Sequence, residues 1–282
     1  MPLWKILSRP VSLRAGPERM SMIRRYPESP VSRDASLDAS RNGHVFAYAS
    51  STYRDRRFHA VEYALVAEEP LEIVVDGKLR HATTRTPDRD ADLAVGFCFT
   101  EDLIEDYGDV AALEIVSDPS GGSRVVVDLK PRETRDGPVE PLAKPPFHTV
   151  RGAKLFELRK VLESRQVLFS LTGATHACAV FDREGELLAS AEDLGRHNAL
   201  EKAIGALVKE NRQGDACLVM TSSRLSATLM RKVQRLGLEM VAGMSAPSKA
   251  AVDMAHDLGL TLVGFLRGSS FTVYTHPRRI RA

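Results

Sequence analysis

Cysteine is scarce in this sequence of 282 residues. The three cysteines, Cys98, Cys178 and Cys217, are far apart and odd in number. This argues against a disulfide framework, and no two of them form the Cys-x-x-Cys pair of many zinc and redox sites. We therefore expect a chain that folds in a reducing compartment and has no metal of its own.

Long hydrophobic runs and an excess of one charge are also missing. No stretch approaches 18 uninterrupted apolar residues, and the N-terminus lacks the continuous apolar segment of a secretory signal. Lys and Arg number 39 against 37 Asp and Glu, and no long basic stripe follows residue 60, whereas nucleic-acid binding usually needs a clustered basic face. We expect no membrane segment, no nucleic-acid partner and a cytoplasmic location.

Composition and periodicity divide the chain into four segments. Residues 1–57 are rich in Arg, Ser and Pro without a sustained period, which predicts a disordered N-terminal tail. Residues 58–130 combine strand patterns, a hairpin turn at Asp76-Gly77 and one helix pattern, which predicts a smaller N-terminal α+β subdomain. The proline-rich residues 131–146 predict a linker, because proline interrupts regular structure.

The fourth segment, residues 147–282, alternates strand and helix patterns. This alternation predicts an α/β fold with a parallel or mixed sheet that is covered on both faces. Strands are expected at 61–66, 71–75, 112–116, 124–129, 166–171, 177–181, 217–221, 239–243, 261–266 and 271–275, with helices at 90–101, around 200–208, and at 226–236 and 247–258.

Polar residues crowd the turn before the amphipathic helix around residue 200. The block 192–200 places Arg196, His197 and Asn198 beside two carboxylates and a glycine. These residue types rarely gather at a strand-to-helix turn for packing reasons, and the free N–H groups of a helix N-terminus favour anions. Ligands of such sheets bind beyond the carboxyl ends of the strands. We therefore predict a phosphate-rich ligand at an edge formed by this turn and the loops 221–224, 244–247 and 267–270.

Eight short motifs follow one another in a consistent order between residues 61 and 277. The most distinctive are Thr172-Gly173-Ala174-Thr175-His176-Ala177-Cys178 and the block 192–202, and the others lie at 68–73, 85–87, 93–97, 221–226, 245–248 and 264–268. Together they resemble the FdhD family, whose members are accessory proteins for formate dehydrogenase.

The resemblance implies a fold, a cofactor that the protein binds and delivers, and protein partners. It implies a cytidine-deaminase-like three-layer core with the smaller N-terminal α+β subdomain, in a homodimer. It also implies binding of the molybdenum bis(molybdopterin guanine dinucleotide) cofactor, which family members supply with sulfur from a cysteine desulfurase before the cofactor enters formate dehydrogenase. The expected cofactor-binding residues are Phe265, Leu266, Arg267, Gly268, Ser269, Ser270, Arg196, His197, Arg224 and His176.

One departure from the family concerns the sulfur-carrying cysteine. Family members usually carry a Cys-x-x-Cys pair just before the Thr-His motif, but residues 144–153 contain no cysteine. Sulfur transfer by that route needs a thiolate. Cys178 is the remaining candidate, since strand alternation places it on one face with His176, although a buried and inert thiol is the ordinary alternative. Smaller departures from the family pattern are Ala174, Ser223 and Ser270.

The alternatives belong to other functional classes. A non-catalytic binding module would hold or deliver the guanine-dinucleotide cofactor without transferring sulfur. A nucleotide-processing enzyme is not favoured, because His197-Asn198-Ala199 lacks the glutamate of a deaminase zinc motif and no Pro-Cys-x-x-Cys occurs. Structural roles are also open: His197 bonded to its own helix, His176 in the core, and Arg267 in a plain turn.

Overall fold

The computed structural model describes residues 44–117, 122–131 and 149–282. The predicted linker over 131–146 lies outside the described residues except for Pro131, and so do residues 1–43 of the predicted tail. None of the helices in the described ranges has the length and apolar run needed to span a membrane.

A long hairpin begins the described chain and corrects part of the prediction for residues 1–57. Strand β1 (Val45–Arg54) pairs antiparallel with β2 (Arg57–Val66) along their whole length. Asp55 and Arg56 make the turn with φ of 52° and 61°, as a two-residue turn with positive φ at both positions requires. The sequence does not predict β1, because Asp-Arg is a weaker turn signal than Asp-Gly or Asn-Gly.

A four-stranded mixed sheet follows, in the order β4-β3-β6-β5. Asp76 and Gly77 have φ of 49° and 64°, so the predicted hairpin turn is confirmed. The strands are β3 (Glu69–Val75), β4 (Leu79–Arg85), β5 (Val110–Ser117) and β6 (Ser123–Leu129), and helix α1 (Asp90–Thr100) lies between β4 and β5 in the chain.

The C-terminal part forms the predicted mixed sheet, with six strands in the order β13-β12-β11-β10-β8-β9. Strands β10, β11 and β12 run parallel, and β8, β9 and β13 join antiparallel. These strands are β8 (His176–Phe181), β9 (Leu187–Asp193), β10 (Leu218–Thr221), β11 (Met240–Gly243), β12 (Thr261–Arg267) and β13 (Ser270–Val273).

Helices cover both faces of this sheet. Helices α4, α5 and α6 contribute to the core on one face, and α2 packs on the other. The short strands β7 (Val150–Arg151) and β14 (Ile280–Arg281) pair separately. The helices are α2 (Gly152–Ser164), α3 (Val167–Thr172), α4 (Arg196–Lys209), α5 (Ala227–Gln234) and α6 (Lys249–Asp257).

The predicted strand at 166–171 is wrong, because this segment forms helix α3. The Glu192 carboxylate accepts hydrogen bonds from the first N–H groups of the helix, at Leu168 (2.8 Å) and Phe169 (2.9 Å). Gly173 ends the helix with φ of 69°. A carboxylate from a distant strand thus satisfies helix donors that the local sequence leaves open.

One core joins the two predicted subdomains. Cys178 and Val180 of β8 belong to a buried cluster that also contains Leu71 and Val125 of the four-stranded sheet. Alternate residues of the same strand, such as Ala179, belong to a second cluster on the opposite face under α2. The N-terminal segment therefore packs onto the larger sheet through a shared core rather than a separate one.

Candidate functional site

The polar loops after β10, β11 and β12 lie at one edge of the six-stranded sheet. Met244 N–H donates to the Thr221 carbonyl (3.0 Å), and Phe265 N–H donates to the Ser245 carbonyl (3.1 Å). The loops after β10 and β11 therefore converge as expected, and backbone hydrogen bonds hold them to each other and to Phe265 of β12; that the 267–270 loop joins them stays a prediction.

A cavity of about 640 Å³ opens at this edge. Helix α3 supplies Phe169 and Ser170 to its wall, and the loop that follows supplies Gly173 to Thr175. His176 and Ser222 add polar groups from the ends of β8 and β10. The sequence does not predict this contribution of α3, because its pattern at 166–171 favours a strand.

Two arginines lie beside His176, the first residue of β8. Burial lowers the pKa of the His176 imidazole, and the positive charges of Arg196 and Arg224 lower it further. Neither guanidinium has a hydrogen-bond or ion-pair partner within residues 44–117, 122–131 and 149–282. Three of the predicted site residues thus come together, and two of them offer uncompensated positive charge.

His197 occupies the first turn of α4, next to Arg196. Its pKa is lowered by burial, then by the charges of Arg196 and Lys232. Its Nε2 atom is buried and has no hydrogen-bond partner in the described part of the chain. A ligand donor or acceptor at this position would satisfy a ring nitrogen that the protein leaves open.

The other polar residues of the 192–202 block hold the turn in place. Asp193 is fully buried and forms an ion pair with Lys202 (Oδ2 to Nζ, 2.7 Å). Its Oδ1 accepts hydrogen bonds from Gly195 N–H (2.8 Å) and Asn198 Nδ2 (3.1 Å). The Asp193 carboxylate and the Asn198 amide, which helped to predict a ligand here, therefore mainly stabilise the turn. Arg196 and His197 remain as the candidates for ligand contact.

The 265–270 loop divides its predicted site residues. Phe265 has a left-handed backbone, with φ of 52°, and the Arg267 guanidinium lies 5.2 Å from the centre of its ring. Leu266 is fully buried in the second core cluster, which corrects the prediction that its side chain binds the cofactor. Gly268, Ser269 and Ser270 are exposed. The groups whose charges lower the pKa of His176 are Arg196 and Arg224, and Arg267 is not one of them.

All three cysteines are buried. Cys178 is 0% exposed, and burial raises the pKa of its thiol to about 12. Burial also raises the pKa values of Cys98 and Cys217 to about 12, and nearby carboxylates add to the effect. A sulfur carrier needs an accessible thiolate, so the structure argues against Cys178 in that role. No group of three or more His, Cys, Asp or Glu able to hold a metal occurs among the described residues.

The fold defines the class of protein. The structure aligns with the crystal structure of a protein from Desulfotalea psychrophila described as a formate dehydrogenase accessory protein, with a TM-score of 0.71. The alignment covers 84% of this chain and all of the other at 22% identity, so it establishes a common fold.

The sequence comparison gives the family. The chain belongs to the FdhD/NarQ family, whose profile matches residues 66–140 and 132–281. It is 36% identical over 234 residues to the sulfur carrier protein FdhD of Sulfolobus acidocaldarius, covering 77% of this chain and 90% of the relative. It is also 36% identical over 249 residues to the protein of the same name from Streptomyces coelicolor, covering 77% and 88%. The resemblance in the sequence motifs is confirmed.

Proposed function

We propose that this chain is an accessory protein for formate dehydrogenase that binds the guanine-dinucleotide molybdenum cofactor as its client. The family and the fold support the accessory role. The observation that carries the binding site is that His176 lines the cavity and lies within reach of the charges of Arg196 and Arg224, neither of which has a carboxylate partner among the described residues. Guanidinium groups suit phosphate oxygens because they donate two parallel hydrogen bonds.

The size of the cavity agrees with one arm of such a client. A volume of about 640 Å³ falls within the range of roughly 300–1,000 Å³ that is usual for small-molecule sites. The pyrophosphate of a guanine dinucleotide would lie near Arg196 and Arg224. A cofactor with two guanine arms suits a two-fold receptor, so a homodimer with one arm in each protomer is part of the proposal.

Sulfur transfer is the step that this chain's own residues support least. The relatives are named sulfur carriers, and a carrier of this kind would take sulfur from a cysteine desulfurase as a persulfide. Cys98, Cys178 and Cys217 are each buried, with pKa values near 12, and the sequence contains no other cysteine. We therefore propose cofactor binding without sulfur carriage as the function of this chain.

Calorimetry with GDP tests the binding site. Arg196→Ala and Arg224→Ala should each weaken binding about ten- to a hundredfold, the effect of losing one charge-assisted hydrogen bond of about 1.5–3 kcal/mol. Arg212→Ala is a matched control, because Arg212 lies beyond the far end of α4 and pairs with Asp215 (3.1 Å). Wild-type GDP affinity in both site variants, or no binding to the wild type, would remove the proposed site.

Intact-mass analysis tests the sulfur step. After incubation with a cysteine desulfurase and cysteine, the native chain should gain no adduct of about 32 Da, the mass of one sulfur atom, because persulfide formation needs an exposed thiolate. A denatured sample treated with iodoacetamide serves as the control, since unfolding should expose all three thiols. An adduct on the native chain that disappears in Cys178→Ser would restore the carrier function.

A further inference from the structure

One buried polar side chain in the cavity wall has no partner. Gln166, the residue before α3, lines the cavity and is 6% exposed. Its backbone is used within the chain, since its N–H donates to the Glu163 carbonyl (3.2 Å) and its carbonyl accepts from Ser170 N–H (3.0 Å). Its side-chain amide forms no hydrogen bond in the described part of the chain. A buried amide costs free energy unless it is hydrogen-bonded, so this amide calls for a ligand.

Other polar side chains of the cavity bond the protein itself. The Thr175 hydroxyl donates to the Glu192 carboxylate (2.8 Å), and the Ser222 hydroxyl accepts from a backbone N–H (3.0 Å). The Ser170 hydroxyl donates to the Gln166 carbonyl (2.7 Å). These groups stabilise the wall, whereas the Gln166 amide keeps both its donor and its acceptor open.

Charge distinguishes two parts of the cavity wall. Arg196 and Arg224 make the surroundings of His176 positive. At α3 the Glu192 carboxylate already accepts from the first N–H groups of the helix (2.8 and 2.9 Å), so this part offers no anion site. A ligand with phosphates and a neutral ring would therefore place its phosphates near the arginines and its ring against α3.

Phe169 gives the α3 wall an aromatic surface. Its side chain is 45% exposed and lines the cavity. Nucleobases stack on such side chains, and hydrogen bonds to the edge of the base identify it. The edge of guanine presents the N1–H donor beside the O6 acceptor, which a carboxamide matches with its own acceptor and donor. Gln166 and Phe169 thus supply the two contacts that a base needs.

We propose that the Gln166 amide binds the N1–H and O6 edge of a guanine base that lies against Phe169. The inference rests on the proposed function and adds a division of labour within the site. Gln166 and Phe169 select the base, whereas Arg196 and Arg224 hold the phosphates.

Calorimetry with two ligands, GDP and inorganic pyrophosphate, separates these contacts. Gln166→Leu removes both polar groups and nearly keeps the volume of the side chain. It should weaken GDP binding about tenfold, the effect of losing two neutral hydrogen bonds, and leave the affinity for pyrophosphate unchanged. Arg196→Ala should weaken the binding of both ligands.

Gln213→Leu is the matched control. Gln213 is similarly buried, at 9% exposed, but it lies beyond the far end of α4 and its Nε2 donates to the Glu105 carbonyl (3.4 Å). This variant should bind GDP like the wild type. Circular dichroism checks that both glutamine variants fold.

Phe169→Ala tests the stacking contact. It should weaken GDP binding about tenfold, within the range for removal of one base-stacking side chain, and leave the affinity for pyrophosphate in place. Val167→Ala is its control, because Val167 belongs to the same helix and is 56% exposed but does not line the cavity.

NMR reports on the amide directly. The side-chain N–H signals of Gln166 are assigned as the pair that is missing in Gln166→Leu. GDP should shift these signals and pyrophosphate should not, because only GDP brings a base to the amide. A purely structural role of Gln166 would not produce this difference.

The outcomes separate this inference from the proposed function. Wild-type GDP affinity in Gln166→Leu would overturn the inference and leave the arginine site standing. Equal losses of GDP and pyrophosphate affinity in that variant would also overturn it, because the side chain would then maintain the shape of the cavity. A wild type that binds pyrophosphate but not GDP would show that the cavity takes no base. A wild type that binds neither ligand would overturn the proposed function together with the inference.

Discussion

Arg196 acts on two histidines at once. It is the first residue of α4, and its charge lowers the pKa values of both His176 and His197 after the larger effect of burial. Arg224 adds to the effect on His176 only. Both imidazoles are therefore biased toward the neutral form, in which each ring has one donor and one acceptor nitrogen.

The histidine titrations provide a test at the residue scale. Arg196→Ala should raise the pKa values of both imidazoles toward the ordinary value of 6.5, because a repelling positive charge is lost. Arg224→Ala should raise the pKa of His176 and leave that of His197 in place. Both values can be followed by NMR titration of the ring protons. If Arg196→Ala moves neither pKa, the arginine does not lie where the structure puts it.

Single residues show what the sequence could and could not predict about the site. The proximity of Arg196, Arg224 and His176 follows from motifs that lie at strand ends, whereas their contact with a ligand stays a prediction. The role of Asp193 was not predictable, since Thr86, whose N–H donates to its carboxylate (3.2 Å), is 107 residues away. The apolar strand pattern around Cys178 predicts that its side chain is buried. The reactivity of its thiol depends on nearby charges and on access to solvent, which only the folded structure shows.

Two glycines allow helices α1 and α4 to pack at very short distance. A Cβ added at Gly96 would overlap the Glu201 carbonyl, and one added at Gly205 would overlap the Asp92 carbonyl. These backbone contacts bring the N-terminal helix against the helix that begins with Arg196. The close crossing therefore links the N-terminal part of the chain to the candidate site.

Substitution of these glycines gives a prediction for this helix pair. Gly96→Ala should lower the free energy of unfolding by about 1–3 kcal/mol, because overpacking displaces backbone and outweighs the better helix propensity of alanine. Gly214→Ala is the control, since nothing lies within 4 Å of its added Cβ. Urea denaturation measures both. An equal and small effect in the two variants would contradict the close crossing.

Sequence patterns predicted elements well where the periodicity was local. The Asp90–Thr100 helix and the parallel strands follow from neighbouring residues. Helix α3 does not, because only six residues form it and Glu192 of β9 satisfies its first donors. Short elements fixed by distant partners are the ones that sequence patterns miss.

At the scale of the whole molecule, the end of β4 and the residue that follows it hold the N-terminal sheet against the site turn. Lys202 Nζ donates to the Thr86 carbonyl (2.8 Å), and Asn198 Nδ2 donates to the Thr84 carbonyl (2.8 Å). Asp193 lies between these groups and pairs with Lys202. The turn that presents Arg196 and His197 is thus positioned by both parts of the chain, which the division into subdomains did not predict.

Breaking this buried pair should therefore affect both stability and binding. Lys202→Met leaves the Asp193 carboxylate, which is 0% exposed, without its cation, and removing one partner of a buried pair costs about 3–5 kcal/mol. Lys209→Met is the control, because Lys209 lies on the same helix and pairs with Asp92 (2.9 Å) at a partly exposed position, where a loss of about 0–1 kcal/mol is expected. Urea unfolding should remain a single transition, since one core spans both parts.

Lys202→Met should also weaken GDP binding while Lys209→Met does not, because only the Lys202 substitution loosens the turn before α4. Similar small losses in both variants would mean that the site turn is held by other contacts.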